Sequence, residues 1–124
     1  MENILSSKWM RGRCFDLAIQ LNKKTKLPIY GLFDLSGNCH HAFVFDEKKG
    51  LGIDARGLQP ISDLAYGCAG KIMAKTNEDF ISNHVLNRPL SPYEKREATI
   101  FINEKLLFKI KDYLPKEKGT SLEY

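Results

Sequence analysis

The stretch GNCHHAFVFDEKKGLGIDARG, residues 37–57, contains two apolar runs, HHAFVFD at 40–46 and LGIDA at 51–55, joined by the polar turn EKKG. Runs of this length bounded by turn residues predict two antiparallel strands. Side chains alternate along an extended chain, so His41, Phe43 and Phe45 share one face while His40, Ala42, Val44 and Asp46 share the other. The two adjacent histidines are thereby separated. Upstream, IYGLFDL at 29–35 has the same character and ends in the turn-forming SGNC, which adds a third strand and makes a β-meander over about 29–55.

Before the meander, Cys14, Leu17, Ala18 and Leu21, widened by Phe15 and Ile19, repeat at the spacing of one helix face, with Asp16, Gln20 and Asn22 opposite. A helix over about 14–22 follows, with Lys23, Lys24 and Lys26 suited to its C-terminus and Pro28 beyond its end. After the meander the chain reads as helical over about 60–114. Thr76 with Asp79 is expected to cap a short helix through about Leu86. Ser91-Pro92-Tyr93-Glu94 has the form of a capping box, and Ala98, Ile102, Leu106, Ile110 and Tyr113 then repeat at helical spacing until Pro115. The expected fold is α+β: one domain over 1–124, with an N-terminal helix packed on an antiparallel sheet of at least three strands and helices at the C-terminal end.

Length and composition fit this reading. A chain of 124 residues with 43% hydrophobic and 27% charged side chains suits a single globular core. The formal charge of +4 comes from scattered basic residues without interleaved aromatics, which points away from nucleic acid. No apolar run approaches the roughly 20 residues needed to cross a bilayer, so no membrane partner is expected. The start, MENILSSKWMRGR, lacks the apolar core of a secretory signal, so the chain is expected in the cytoplasm at synthesis, with signal-independent export left open. Three cysteines, Cys14, Cys39 and Cys68, do not suggest a disulfide framework.

The chemistry centres on Cys14. A cysteine in the first turn of a helix lies near unsatisfied N–H groups and the positive end of the dipole, which favours thiolate, and its own N–H is a possible oxyanion donor. A thiol nucleophile needs a base, and the base needs a group that fixes its tautomer. A histidine and a carboxylate on adjacent antiparallel strands meet that need, and His41 with Asp54 fit it.

Gly12-Arg13-Cys14-Phe15 with Ala18 resembles the start of the central helix of papain-like cysteine proteases. HHAFV resembles the His-Ala-apolar strand of papain-like and transglutaminase-like enzymes, and GIDARG the strand whose Asp completes the triad in transglutaminase-like proteins and papain-like bacterial effectors. The resemblance covers about residues 9–57 and keeps the order Cys, His, Asp. It implies a compact papain-like core and a catalytic triad of Cys14, His41 and Asp54. It also implies a hydrolase of amide or acyl bonds, either a peptidase or a side-chain amide deamidase, acting on a protein or peptide substrate without cofactor or metal. Lys8 and Trp9 stand where such proteases carry a glutamine oxyanion donor, so the second donor is unassigned, with the Trp9 indole as a substitute.

Other readings stand beside it: an acyl transferase of transglutaminase type, or a non-catalytic interaction module on the same fold. Zinc held by Cys14, Cys39, His41 and Asp54 is disfavoured by the lack of a C-x-x-C pair. Cys39 reads as a loop-end hydrophobe, His40 as the weaker base and Arg56 as a salt-bridge partner. His84 reads as packing with Phe80 and Ile81, Cys68 in YGCAGK as a turn residue, and the tail after Pro115 as frayed. The oligomeric state is left open.

Overall fold

A computed structural model describes residues 8–10, 12–64 and 70–114. The expected turn at Cys68 and the expected fraying of the last residues lie outside them. A short 3-10 turn at Lys8–Met10 leads to helix α1, Cys14–Thr25. This helix runs three residues beyond the expected end, because Lys26 takes a left-handed conformation (φ 67°) and donates its N–H to the Asn22 carbonyl.

Strands β1 (Ile29–Phe33), β2 (Cys39–Asp46), β3 (Leu51–Asp54) and β4 (Gly57–Pro60) follow, then a single helical turn α2 (Ile61–Leu64) and strand β5 (Ile72–Thr76). All pairings are antiparallel, in the order β4-β3-β2-β1-β5. The sheet therefore has five strands, and the expectation of helix throughout 60–114 is corrected at 72–76. The run IMAKT is short and partly exposed at the sheet edge, so it lacks the continuous apolar signal of a buried strand.

Helix α3 (Glu78–Phe80) continues into a π-helical turn at Ile81–Val85. Its cap is Asn77, whose Oδ1 accepts from the Phe80 N–H at 2.8 Å, and not Thr76, which belongs to β5. Helix α4 (Pro92–Phe101) runs on through a π-helical turn at Ile102–Leu106 and a 3-10 segment at Leu107–Tyr113. Its start is the expected capping box: the Glu94 N–H donates to Ser91 Oγ, and the Ser91 N–H to Glu94 Oε1. Ser91→Ala should destabilise the fold by about 1 kcal/mol, measured by chemical denaturation.

The sheet separates two apolar clusters. On one face Ile29, Ala42, Val44 and Ile53 pack with Leu17, Ala18 and Leu21 of α1, and with Ala98, Ile102, Leu106 and Ile110. On the other, Tyr30, Leu32, Phe43 and Phe45 gather around Leu64. Tyr113 Oη donates to Asp46 Oδ2 at 2.7 Å and ties the C-terminal helix to the end of β2. Among the described residues no helix is long and apolar enough to cross a membrane.

Candidate functional site

The site begins at a break in the register of β2. Leu32 pairs with His41 but Phe33 pairs with Cys39, which leaves His40 as the extra residue of a bulge. Cys39 lies close over Gly31, where an added Cβ would sit 2.7 Å from its sulfur and would have to displace it and the Phe33 ring. The bulge keeps the expected division of the histidines. His40 is exposed and pairs with Asp34 Oδ2 at 2.7 Å, while His41 is buried beside Phe43, ring centroids 6.1 Å apart.

Asp54 ends β3, and a tight turn through Ala55 and Arg56 starts β4 at Gly57, whose φ of +105° favours glycine. The turn folds its own side chains back over the carboxylate. His41 Nε2 lies 2.9 Å from Asp54 Oδ2, with the two side chains 9% and 1% exposed. Arg56 donates its backbone N–H to Oδ1 at 2.9 Å and Nη2 to Oδ2 at 2.7 Å, with Nε 3.2 Å from both oxygens. Gln59 Nε2 donates to Oδ1 at 3.2 Å. Burial pushes the Asp54 carboxyl up, but the bonds from His41 and Arg56 outweigh it and hold the group below the ordinary carboxylate range. An ionised carboxylate only accepts, so His41 carries its proton on Nε2. In the neutral ring Nδ1 then holds a lone pair, and it has no hydrogen-bond partner among the described residues.

Cys14 is the first residue of α1 and only 2% exposed. The backbone N–H groups of Ala42 and of Cys14 itself reach its sulfur. No hydrogen bond joins that sulfur to the His41 ring: Cys14 packs with Ala42 and Val44 on the α1 face, whereas His41 shares the opposite face with Phe43. The expectation that the helix start favours thiolate is corrected. Burial comes first and pushes the Cys14 thiol up to about 12, although the Ala42 N–H pulls the other way. The structure thus brings His41 and Asp54 into contact and places Cys14 against the backbone of the residue after His41, as a neutral thiol.

Two features were not read from the sequence. Arg13 binds Asp16 through Nε and Glu97 Oε1 through Nη1 at 2.8 Å, which locks the start of α1, and with it Cys14, to α4. Arg13 and Asp16 stand three apart on the first turn, a visible signal, but Glu97 is remote in sequence. Gln59 on the Asp54 carboxylate is the second, and the strand carrying it was itself unforeseen. Trp9 is buried, with its ring 5.1 Å from Phe101 of α4 and the Arg13 guanidinium 4.9 Å above it.

Cys39 donates its thiol to the His41 carbonyl at 3.5 Å and packs partly buried, as expected of a loop-end hydrophobe. His84 packs against Phe80 with ring centroids 5.0 Å apart, and Arg56 has the carboxylate partner expected of it. Among the described residues no group of three or more His, Cys, Asp or Glu side chains is gathered as a metal ion requires. In comparison with known proteins, no family model, no curated protein and no solved structure matches the chain.

Proposed function

We propose that this chain is a cysteine-dependent hydrolase of amide or acyl bonds, a peptidase or side-chain amide deamidase on a compact papain-like core, acting on a protein or peptide substrate. The observation that carries this is the buried contact of His41 Nε2 with the Asp54 carboxylate at 2.9 Å, which in the neutral ring leaves the Nδ1 lone pair for a proton. A buried imidazole held by an ionised carboxylate is what a general base requires. Cys14, at the head of α1 beside the Ala42 N–H, is the nucleophile of this reading.

The reaction requires the Cys14 sulfur and the His41 ring to come within hydrogen-bond reach; the thiol then gives its proton to His41 Nδ1 as sulfur bonds to the substrate carbonyl carbon, and the carbonyl π electrons move to oxygen. Collapse of that intermediate expels the amine or ammonia, which takes the proton from His41. Water, deprotonated by His41, then hydrolyses the thioester. Because the resting thiol is neutral, the proton moves only with substrate present, and no preformed thiolate is required. A non-catalytic interaction module is favoured by one observation, the buried thiol without a bond to His41.

An activated acyl ester separates these readings. Incubated with p-nitrophenyl acetate at neutral pH, the chain should acquire one acetyl group, mapped to Cys14 by mass spectrometry, and His41→Ala should lower its rate of formation about 10²-fold or more, within the 10²–10⁴-fold typical of general-base catalysis. No acetyl group on Cys14 together with no Cys14-dependent release of p-nitrophenolate, or acylation that is equally fast in His41→Ala, sinks the hydrolase and leaves the module.

A further inference from the structure

We infer that Arg56, supported by Gln59, is a positioning residue that orients the Asp54 carboxylate and so selects which nitrogen of His41 carries the proton. The chemical meaning of this inference rests on the reading of His41 as the base. The geometry is independent of it.

A carboxylate has about four lone-pair sites on two oxygens, and on Asp54 nearly all are taken. Oδ1 receives the Arg56 backbone N–H at 2.9 Å and Gln59 Nε2 at 3.2 Å, with Arg56 Nε 3.2 Å away. Oδ2 receives Arg56 Nη2 at 2.7 Å, and His41 at 2.9 Å. The planar guanidinium grips the carboxylate side-on, fixing its rotation about the Cβ–Cγ bond, and this leaves Oδ2 as the oxygen that meets the ring. Arg56 is itself anchored, since Nη2 also donates to the Leu64 carbonyl at 3.0 Å at the end of α2. Lysine, a point charge without a fork, cannot reproduce that grip.

The positive charge has a second effect. Arg56 keeps Asp54 ionised, and an ionised partner stabilises the Nε2–H form of the ring. The other titratable groups near the pair are thiols: Cys14 from α1, whose thiol Asp54 disfavours as thiolate, and Cys39 of β2, bonded to the His41 carbonyl. Neither carries charge at neutral pH, because burial raises both. Arg56 is the cation bonded to the Asp54 carboxylate, and it balances that charge while His41 is neutral.

Long-range 1H–15N spectra of the histidine rings, with 13C titration of the Asp54 carboxyl, test this without any turnover. At a pH where its ring is deprotonated, the intact chain should show His41 as a single Nε2–H tautomer. In Arg56→Met, His41 should populate both tautomers and the Asp54 protonation midpoint should rise by about one to three pH units, the usual effect of a removed neighbouring charge. Arg56→Lys should return the midpoint toward its original value while the tautomers stay mixed, which separates charge from grip. A folded Arg56→Met with an unchanged tautomer and carboxyl titration overturns the inference.

If Arg56→Met does not fold, Gln59→Leu takes its place, since it removes a single donor from Oδ1 without stranding a charge. A smaller rise of the Asp54 midpoint supports the inference, and an unmoved midpoint overturns it. The outcomes remain distinct from those for the hydrolase. Tautomers that depend on Arg56 in a chain whose Cys14 is never acylated keep the positioning role and remove the enzyme. Acylated Cys14 with tautomers indifferent to Arg56 does the reverse.

Discussion

Asp54→Ala should lower the stability of the fold by about 3 kcal/mol, and its midpoint of thermal unfolding by about 10 °C. The effect is large because the carboxylate is the common acceptor of three side chains. Removing it leaves the Arg56 guanidinium beside a buried imidazole, a Gln59 amide without its acceptor, and the Nε2–H of His41 without a partner. Breaking a buried ion pair from one side typically costs about 3–5 kcal/mol. The lower end applies here, since the Arg56 side chain is 23% exposed and can turn toward water.

The pH dependence gives a second signature of the same group. The folded carboxyl lies below its unfolded value, so its stabilisation is complete above about pH 4 and is lost as pH falls through the folded value. Asp54→Asn keeps the shape but not the charge. Its stability should fall less steeply than that of the intact chain on acidification, measured by denaturant titrations at a series of pH values. An alanine variant as stable as the intact chain would show that the carboxylate is solvated and the pair is not formed.

How much of this was legible in the sequence follows from how local each signal is. Helix α1, the β1–β2–β3 meander and the start of α4 rest on periodicity and caps within a few residues, and they appear with boundaries shifted by three residues at most. The parity of β2 survived the bulge at His40, because the extra residue precedes His41 and leaves the alternation of 41–46 intact. Strands β4 and β5 were not legible. GLQP pairs only through a tight turn after Asp54, and IMAKT is an edge strand whose partner β1 lies about forty positions upstream.

At the site, the contact of His41 with Asp54 followed from strand pairing, which places residues on neighbouring strands within reach. The state of Cys14 did not follow from the helix start. A dipole effect is a property of one helix, whereas burial depends on α4 and the sheet closing over that end, and burial is the larger of the two here. The Arg13–Glu97 bond that helps close it spans most of the chain, a pairing no local pattern announces.

The buried thiol leads to the other large expected effect. Cys14 titrates near 12 in the fold against 9.0 for an ordinary thiol, so folding favours the protonated form. Its contribution is fully present below about pH 8.5 and is lost as pH rises toward the folded value, a difference worth about 4 kcal/mol in all. Between pH 8.5 and 12 the intact chain should therefore lose stability relative to Cys14→Ala, which has no thiol to ionise. Titrations common to both proteins, including that of Tyr113 beside Asp46, cancel in the comparison. The same energetics set reactivity. At neutral pH a thiol titrating near 12 is ionised about 10³-fold less than one titrating at the ordinary 9.0, and iodoacetamide attacks only the thiolate. Without substrate, Cys14 should therefore be alkylated about 10³-fold more slowly than a free thiol, with the modified cysteine identified by mass spectrometry. Parallel alkaline stability curves for the two proteins would show that folding does not raise the thiol's titration, and rapid alkylation of Cys14 at pH 7 would show an ionised thiol at rest. The activation step would then be a preformed thiolate–imidazolium pair, with His41 already holding the proton before any substrate binds.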